Sequence, residues 1–424
     1  MEESGRPEEA CRSWKKHEEK KQAIRQNVQK KLTFLQDVSD DEIRRIIDES
    51  MAEYRQTGLL SVKEMQQIER ELFNSIRRLD VLQELIENDE ITEIMINGWK
   101  TIFIEVHGRI HKWEKQFESK EKLEDVIQQM VSKSNRMVNE SSPIVDARLE
   151  DGSRIHVVLS PVSLDGPAVT IRKFPEEAIT MEELIAWEAI SEEAAEFLRK
   201  LVIGQYNIFV SGGTGSGKTT LLNALSNYIP SDERVITIED SAELQIRQVP
   251  NLVRLETREN IIEGGKQITM ERLIKASLRM RPSRVIVGEV RDGEAVINML
   301  QAMNTGAASM STGHANSPKD MLSRLEALAL IGMNMPLLSA RKQIASAIDI
   351  IIHLGRLRDK SRRVLEIIEV LDVEGEEIAV NSLYRFEESG VMEDGRIRGC
   401  LVSTGNRLVQ TEKLQKAGIF YEGL

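Results

Sequence analysis

Apolar residues recur at helical spacing through the first 80 positions of the chain. Ser39-Asp40-Asp41-Glu42 has the form of a capping box, and Ile43, Ile46, Ile47, Met51 and Tyr54 follow on one helical face. Ser61-Val62-Lys63-Glu64 repeats the signal ahead of Met65, Ile68, Leu72, Ile76 and Leu79. The first 30 residues are mostly polar and predict a solvated helix. The run from Lys15 to Lys21 mixes signs, which fits a solvated helix face better than an anchor on anionic lipid. Residues 1–80 therefore read as an N-terminal helical extension.

From 81 to 175 the period shortens and the pattern becomes mixed α+β. Ile94-Met95-Ile96 and Ile102-Phe103-Ile104 flank Asn97-Gly98, a turn signal. Leu123, Val126, Ile127, Met130 and Val131 mark an amphipathic helix. Asp151-Gly152 then joins two strand-like runs, and a further strand at 168–171 ends at Arg172-Lys173-Phe174-Pro175. That proline opens a polar linker over 176–189 and marks a domain boundary. Strand and helix patterns alternate over 190–355, which predicts an α/β domain with a mostly parallel sheet. Its strands are expected at 208–210, 235–238 and 285–287. Over 356–424 short strands and glycine-containing turns predict a strand-rich C-terminal appendage.

Composition narrows this picture. At 424 residues, with 41% hydrophobic and 30% charged side chains, the chain has the make-up of a soluble multidomain protein. Only 4% is aromatic, so the cores must rest on Leu, Ile, Val and 16 Met. The formal charge of -12 argues against a nucleic-acid partner, because phosphate binding wants a net basic face. Cys11 and Cys400 lie near opposite ends without metal-ligand spacing, which fits a reduced compartment. Residues 1–32 lack the apolar core of a signal peptide, and no apolar run approaches the roughly 20 residues of a membrane helix. The expected location is cytoplasmic, peripheral to the membrane. His107 and His111 share a metal-like spacing but flank Gly108 in a strand-turn pattern, which points the rings apart, so no stable metal besides Mg²⁺ is expected.

The chemistry begins at Gly212-Gly213-Thr214-Gly215-Ser216-Gly217-Lys218-Thr219, which follows an apolar strand and opens a helix carrying Leu221, Leu222 and Leu225. Glycines there let consecutive backbone N–H groups face phosphates at a helix N-terminus, where the helix dipole also favours anions. This P-loop, with Thr220 after it, predicts ATP binding. Lys218 reaches the β- and γ-phosphates, and the Thr219 hydroxyl ligates Mg²⁺. Downstream, Arg284-Val285-Ile286-Val287-Gly288-Glu289 is an apolar strand ending in an acid, where a carboxylate can poise water or hold Mg²⁺. Most P-loop enzymes place Asp before that Glu; here Gly288 stands instead. Ile238-Glu239-Asp240-Ser241-Ala242-Glu243 puts further carboxylates at another strand end, and reads equally as a helix N-cap cluster. An ABC transporter is disfavoured by the lack of a Leu-Ser-Gly-Gly-Gln signature, and a GTPase by the lack of Asn-Lys-x-Asp.

Together SGGTGSGKTT, RVITIEDSAELQ, LRMRPSRVIVGEVRDGEA and NTGAASMSTGHANSPKDMLSRLE resemble the secretion and pilus ATPases. ITEIMINGWKTIFIE, VNESSPIVDARLEDGSRIHVVLSPVSLDGPAVTIRKF and SLYRFEE point to the CpaF/TadA branch, which drives tight-adherence (Flp) pili. The resemblance implies a RecA-like P-loop domain preceded by a PAS-like N-terminal domain over 81–175. It also implies a homo-hexamer, ATP between the domains, and polytopic inner-membrane platform proteins as partners. By motif position Glu239 and Glu243 fall in the family's acidic box and Glu289 in its Gly-Glu Walker B element. Arg154 and Arg172 match N-terminal-domain arginines that reach the phosphates, where an arginine finger contributes about 10³–10⁵ in rate. Arg279, Arg281 and Arg291 are weaker candidates. His314 matches the second residue of the family's histidine box. The first is absent: Thr305-Gly306-Ala307-Ala308-Ser309 stands, one residue shorter, where the family has a Thr-Gly-His-Asp-Gly run. The expected function is a hexameric ATPase powering assembly, or also retraction, of a Tad/Flp-type pilus or type II-like secretion machine. Two alternatives are a conjugation-type (type IV) secretion ATPase and a nucleotide-binding assembly subunit whose turnover is impaired at the histidine box.

Overall fold

The computed structural model describes residues 6–33, 38–56, 58–106, 108–134, 136–173, 178–258 and 267–420. It divides into two compact units, Met1–Phe174 and Pro175–Leu424.

In the first unit, helices Arg6–Leu32, Asp40–Arg55 and Val62–Arg77 pack around Ile24, Val28, Ile43, Ile47, Ile68 and Leu72. Both capping boxes form. The hydroxyls of Ser39 and Ser61 accept from the N–H of Glu42 and Glu64, whose carboxylates accept in return from the cap N–H groups. The leading helix is polar along most of its length but buries Ile24 and Val28, so it is packed on one side rather than solvated all round. Six strands follow: β1 (Ile91–Asn97), β2 (Ile102–Val106), β3 (Arg109–Lys112), β4 (Ile144–Arg148), β5 (Arg154–Val158) and β6 (Ala168–Arg172). They form an antiparallel sheet in the order β3-β2-β1-β6-β5-β4. Gly98, at φ +67, turns β1 into β2. Helix Lys120–Lys133 buries Leu123, Val126, Ile127, Met130 and Val131 in the core that also holds Ile94, Ile96, Ile155 and Ile171 of the sheet.

The second unit is built on β7 (Ile208–Gly212), β8 (Val235–Glu239), β9 (Leu252–Glu256), β10 (Arg284–Val287), β11 (Ala308–Gly313) and β12 (Ile350–Arg356). These six run parallel in the order β12-β7-β11-β10-β8-β9. Strands β7, β8, β10 and β11 are buried at every residue, as a parallel sheet covered on both faces requires. One apolar core holds Ile208, Val210, Leu222 and Ile352, and the other holds Phe209, Ile236, Val285 and Ile351. The strands after 355 are β13 (Arg362–Glu374), β14 (Glu377–Val391) and β15 (Ile397–Ser403). They are longer than the sequence pattern suggests, and they extend the same sheet antiparallel from β12. Leu383, Tyr384 and Leu401 enter the core shared with the helix after the P-loop, which is why this segment stays on the sheet. Among the described residues no helix is long and apolar enough to cross a membrane.

Candidate functional site

Because β7, β8, β10 and β11 are parallel neighbours, the residues that follow each of them come together along one edge of the sheet. That edge gathers the P-loop after β7, Glu239 at the end of β8, Gly288 and Glu289 after β10, and His314 after β11. The sequence motifs, nearly 100 residues apart, are thus one site.

The P-loop backbone is glycine-dependent at three places, one of them Gly215, at φ +69. Gly217 caps helix Lys218–Ser226 in the left-handed region, at φ +97. A Cβ on Gly212 would lie 2.5 Å from the Leu354 carbonyl oxygen and 2.6 Å from Ser216 Oγ. Space around Gly213 and Gly215 is open, as close approach by phosphate oxygens demands. Lys218 is buried at the base of the loop. Its Nζ donates to the carbonyl oxygens of Gly212 (3.1 Å) and Gly213 (2.9 Å) and lies 3.3 Å from His314 Nδ1. Thr219 and Thr220 stand half-buried in the first helical turn.

His314 bridges two motifs. A ring nitrogen facing an ammonium presents its lone pair, which leaves the proton on Nε2, 3.0 Å from Glu289 Oε1. That second approach is too poorly aligned for a hydrogen bond, so Glu289 Oε1 is buried without a bonded partner. Burial pushes the His314 imidazole down, and Lys218 adds to this against the pull of Glu289. The other Glu289 oxygen accepts from Arg291 Nη2 at 2.8 Å, and Arg291 also lies 3.8 Å from Asp240.

Glu239 is only 2% exposed at the end of an apolar strand. One oxygen accepts from the backbone N–H of Glu243 (2.8 Å) and Leu244 (2.9 Å); the other, Oε2, is buried with no partner. Burial pushes this carboxyl up to about 7, against those two donors and Arg254. It is therefore Glu243's amide, not its carboxylate, that meets Glu239. Gly288 explains the missing Asp: a Cβ there would sit 3.1 Å from Glu239 Cγ, so the Glu239 side chain fills that space. An unpartnered buried carboxylate oxygen facing the P-loop edge is what a Mg²⁺-nucleotide site fits, since cation or water would satisfy it.

Arg154 and Arg172 face each other on β5 and β6 in the first unit, and Arg154 Nη2 lies 3.5 Å from Asp146, which also pairs with His156. Arg279 and Arg281 precede the N-terminal end of β10, the end away from the P-loop. Thr305-Gly306-Ala307 likewise forms the turn into β11, whose first residues are Ala308 and Ser309. Six strand residues, roughly 20 Å, separate that end from His314's. His107 lies outside the described residues, His111 is exposed on β3, and no group of metal-ligating side chains occurs among the described residues.

Sequence motifs missed a 220 Å³ cavity beside Ser216, Gly217 and Thr220. Leu184, Trp187, Ile190, Leu354 and Val364 give it apolar walls, and Arg362 closes one side by donating from Nε to the Gly215 carbonyl at 2.8 Å. These residues come from segments on both sides of the P-loop in the chain, so no local pattern announces them. A larger cavity of 620 Å³ in the first unit is lined by side chains that pair with one another, as in Lys21–Glu71 and Lys115–Glu84.

The family described as Type II/IV secretion system protein matches residues 76–404. A putative conjugal transfer protein of Mycobacterium tuberculosis is 32% identical over 307 residues, 71% of this chain and 86% of its own. The conjugal transfer protein TrbB of Rhizobium radiobacter is 33% identical over 297 residues, 69% of this chain and 87% of its own. Among solved structures, the pilus retraction motor PilT with bound ADP is alike in fold, with 19% identity and a TM-score of 0.50. That likeness covers 80% of this chain and 88% of PilT.

Proposed function

The chain belongs to the type II/IV secretion system protein family, and from that premise we propose that it hydrolyses Mg·ATP to drive assembly of a Tad/Flp-type pilus or a type II-like secretion machine. The observation that carries the ATPase reading is the Lys218–His314–Glu289 series beside the unpartnered buried oxygen of Glu239, all at one edge of a parallel sheet.

Bound Mg²⁺ supplies charge neutralisation at the phosphates, held through Thr219. The P-loop amides seat the phosphates at the helix N-terminus. Lys218 exchanges the carbonyl oxygens of Gly212 and Gly213 for phosphate oxygens, which frees His314 Nδ1. Glu289 or Glu239 orients the attacking water and takes up its proton. Arg154 and Arg172 add positive charge at the γ-phosphate. The cavity walled by Leu184, Trp187 and Leu354 takes the base. The working form is a homo-hexamer on the cytoplasmic face of a membrane, coupled to polytopic platform proteins.

A conjugation-type secretion ATPase is the second reading, favoured by the conjugal transfer relatives. The assay that tests the activity is steady-state hydrolysis in Lys218→Ala. Loss of turnover with an unchanged circular dichroism spectrum is expected, and undiminished turnover sinks the proposal. In cells lacking the gene, loss of surface filaments supports the pilus reading, whereas loss of plasmid transfer with filaments intact supports conjugation.

A further inference from the structure

One buried histidine takes no part in the chemistry above. His353 lies on β12 and is 6% exposed. It stands level with Ser211 of β7, the residue that leads into the P-loop, and with Glu366 of β13 on its other side. Ser211 Oγ is 2.9 Å from His353 Nδ1. The backbone carbonyl of Asn316, two residues beyond His314, also lies against the ring and favours a proton on the imidazole. With Nδ1 taken by the serine, the Asn316 carbonyl calls for a proton on Nε2, so the neutral tautomer satisfies both partners at once. Burial favours that neutral form, with Glu366 and Asp320 pulling the other way and Lys218 adding to the burial.

We propose that His353 is a positioning residue that couples the P-loop to the His314 loop, through Ser211 on one side and Asn316 on the other. The inference rests on the ATPase reading. Lys218 and His314 touch directly only while Lys218 is folded onto its own loop carbonyls. Once phosphates draw Lys218 away, that contact is lost; β7 and β11 stay paired as far as Ser211 and Gly313, and His353 is a side-chain link beyond that pair, to the residues that follow His314. An apolar residue in its place would leave both loops formed but free to shift against each other, and small shifts at a reacting centre cost about 10- to 100-fold in rate.

The full-length chain is compared with His353→Leu in thermal midpoint, ATP hydrolysis and amide exchange over 313–317. We expect kcat to fall about 10- to 100-fold with KM within about threefold. We also expect exchange at 313–317 to quicken while the thermal midpoint stays near that of the parent. His353→Gln, which keeps a donor toward Asn316, should recover most of kcat. Parental kcat in His353→Leu, or a loss that tracks stability and is not relieved by His353→Gln, overturns the proposal. If His353→Leu does not fold, Ser211→Ala decides: lowered kcat at unchanged KM supports the coupling, and parental kcat overturns it. A parental chain that fails to hydrolyse ATP defeats the ATPase reading alone. Exchange over 313–317 then still decides the coupling, which is overturned if the rate in His353→Leu, or in Ser211→Ala where that variant is used, matches the parent.

Discussion

Between about pH 4.5 and pH 7 folded Glu239 holds a proton that the unfolded chain would release, and above that range it is a carboxylate able to accept one. Its carboxyl titrates near 7 in the folded state against 4.5 without the fold, because burial disfavours the anion. Between those values the native state binds more protons, so stability falls as pH rises through the interval, and the penalty is complete above about 7. The full cost is on the order of 3 kcal/mol. Glu239→Gln, which is neutral throughout, should therefore be more stable than the parent at pH 8 and nearly equal at pH 4.5 in nucleotide-free urea titrations. Equal midpoints at pH 8 would falsify a raised carboxyl. Gly288→Ala tests the same pocket from the other side, since its Cβ would press on Glu239 Cγ. Hydrolysis is expected to drop at least tenfold, a barrier change of about 1.4 kcal/mol, while the thermal midpoint moves little.

At the scale of elements, one crossing in the second unit depends on two glycines that carry no chemistry. Helices Gly293–Asn304 and Pro318–Gly332 pack side by side, and their backbones come together where Gly293 abuts Gly332 and Leu328. A Cβ at either glycine would run into main chain, which cannot rotate away as a side chain can. Gly293→Ala should cost about 1–3 kcal/mol in urea unfolding, and a neutral result would mean the helices part freely. Helices and their caps were legible in the sequence because their signals are local: both predicted capping boxes close within four residues. The Gly293–Gly332 contact was not, because nothing near either glycine marks a partner 39 positions away.

For the whole molecule, the arginines of the first unit give the sharpest test. Arg154→Ala and Arg172→Ala should each leave ATP affinity nearly intact and reduce kcat by about 10³ or more if they serve as fingers. Parental kcat in both would remove the first unit from the chemistry. The sequence by itself determined the P-loop, the parallel character of its sheet and the acids that end its strands. Those follow from short-range rules of glycine geometry, apolar runs and strand ends. Only the tertiary structure decided which of those acids is buried, because desolvation of Glu239 depends on what β10 and the segment after β8 bring against it. It also decided that Gly288 is empty so that Glu239 can fill it, and that the turn into β11 at 305–307 lies at the far end of that strand from His314. In a parallel sheet, strand direction assigns each loop to one edge, and that assignment is made by neighbours distant in the chain.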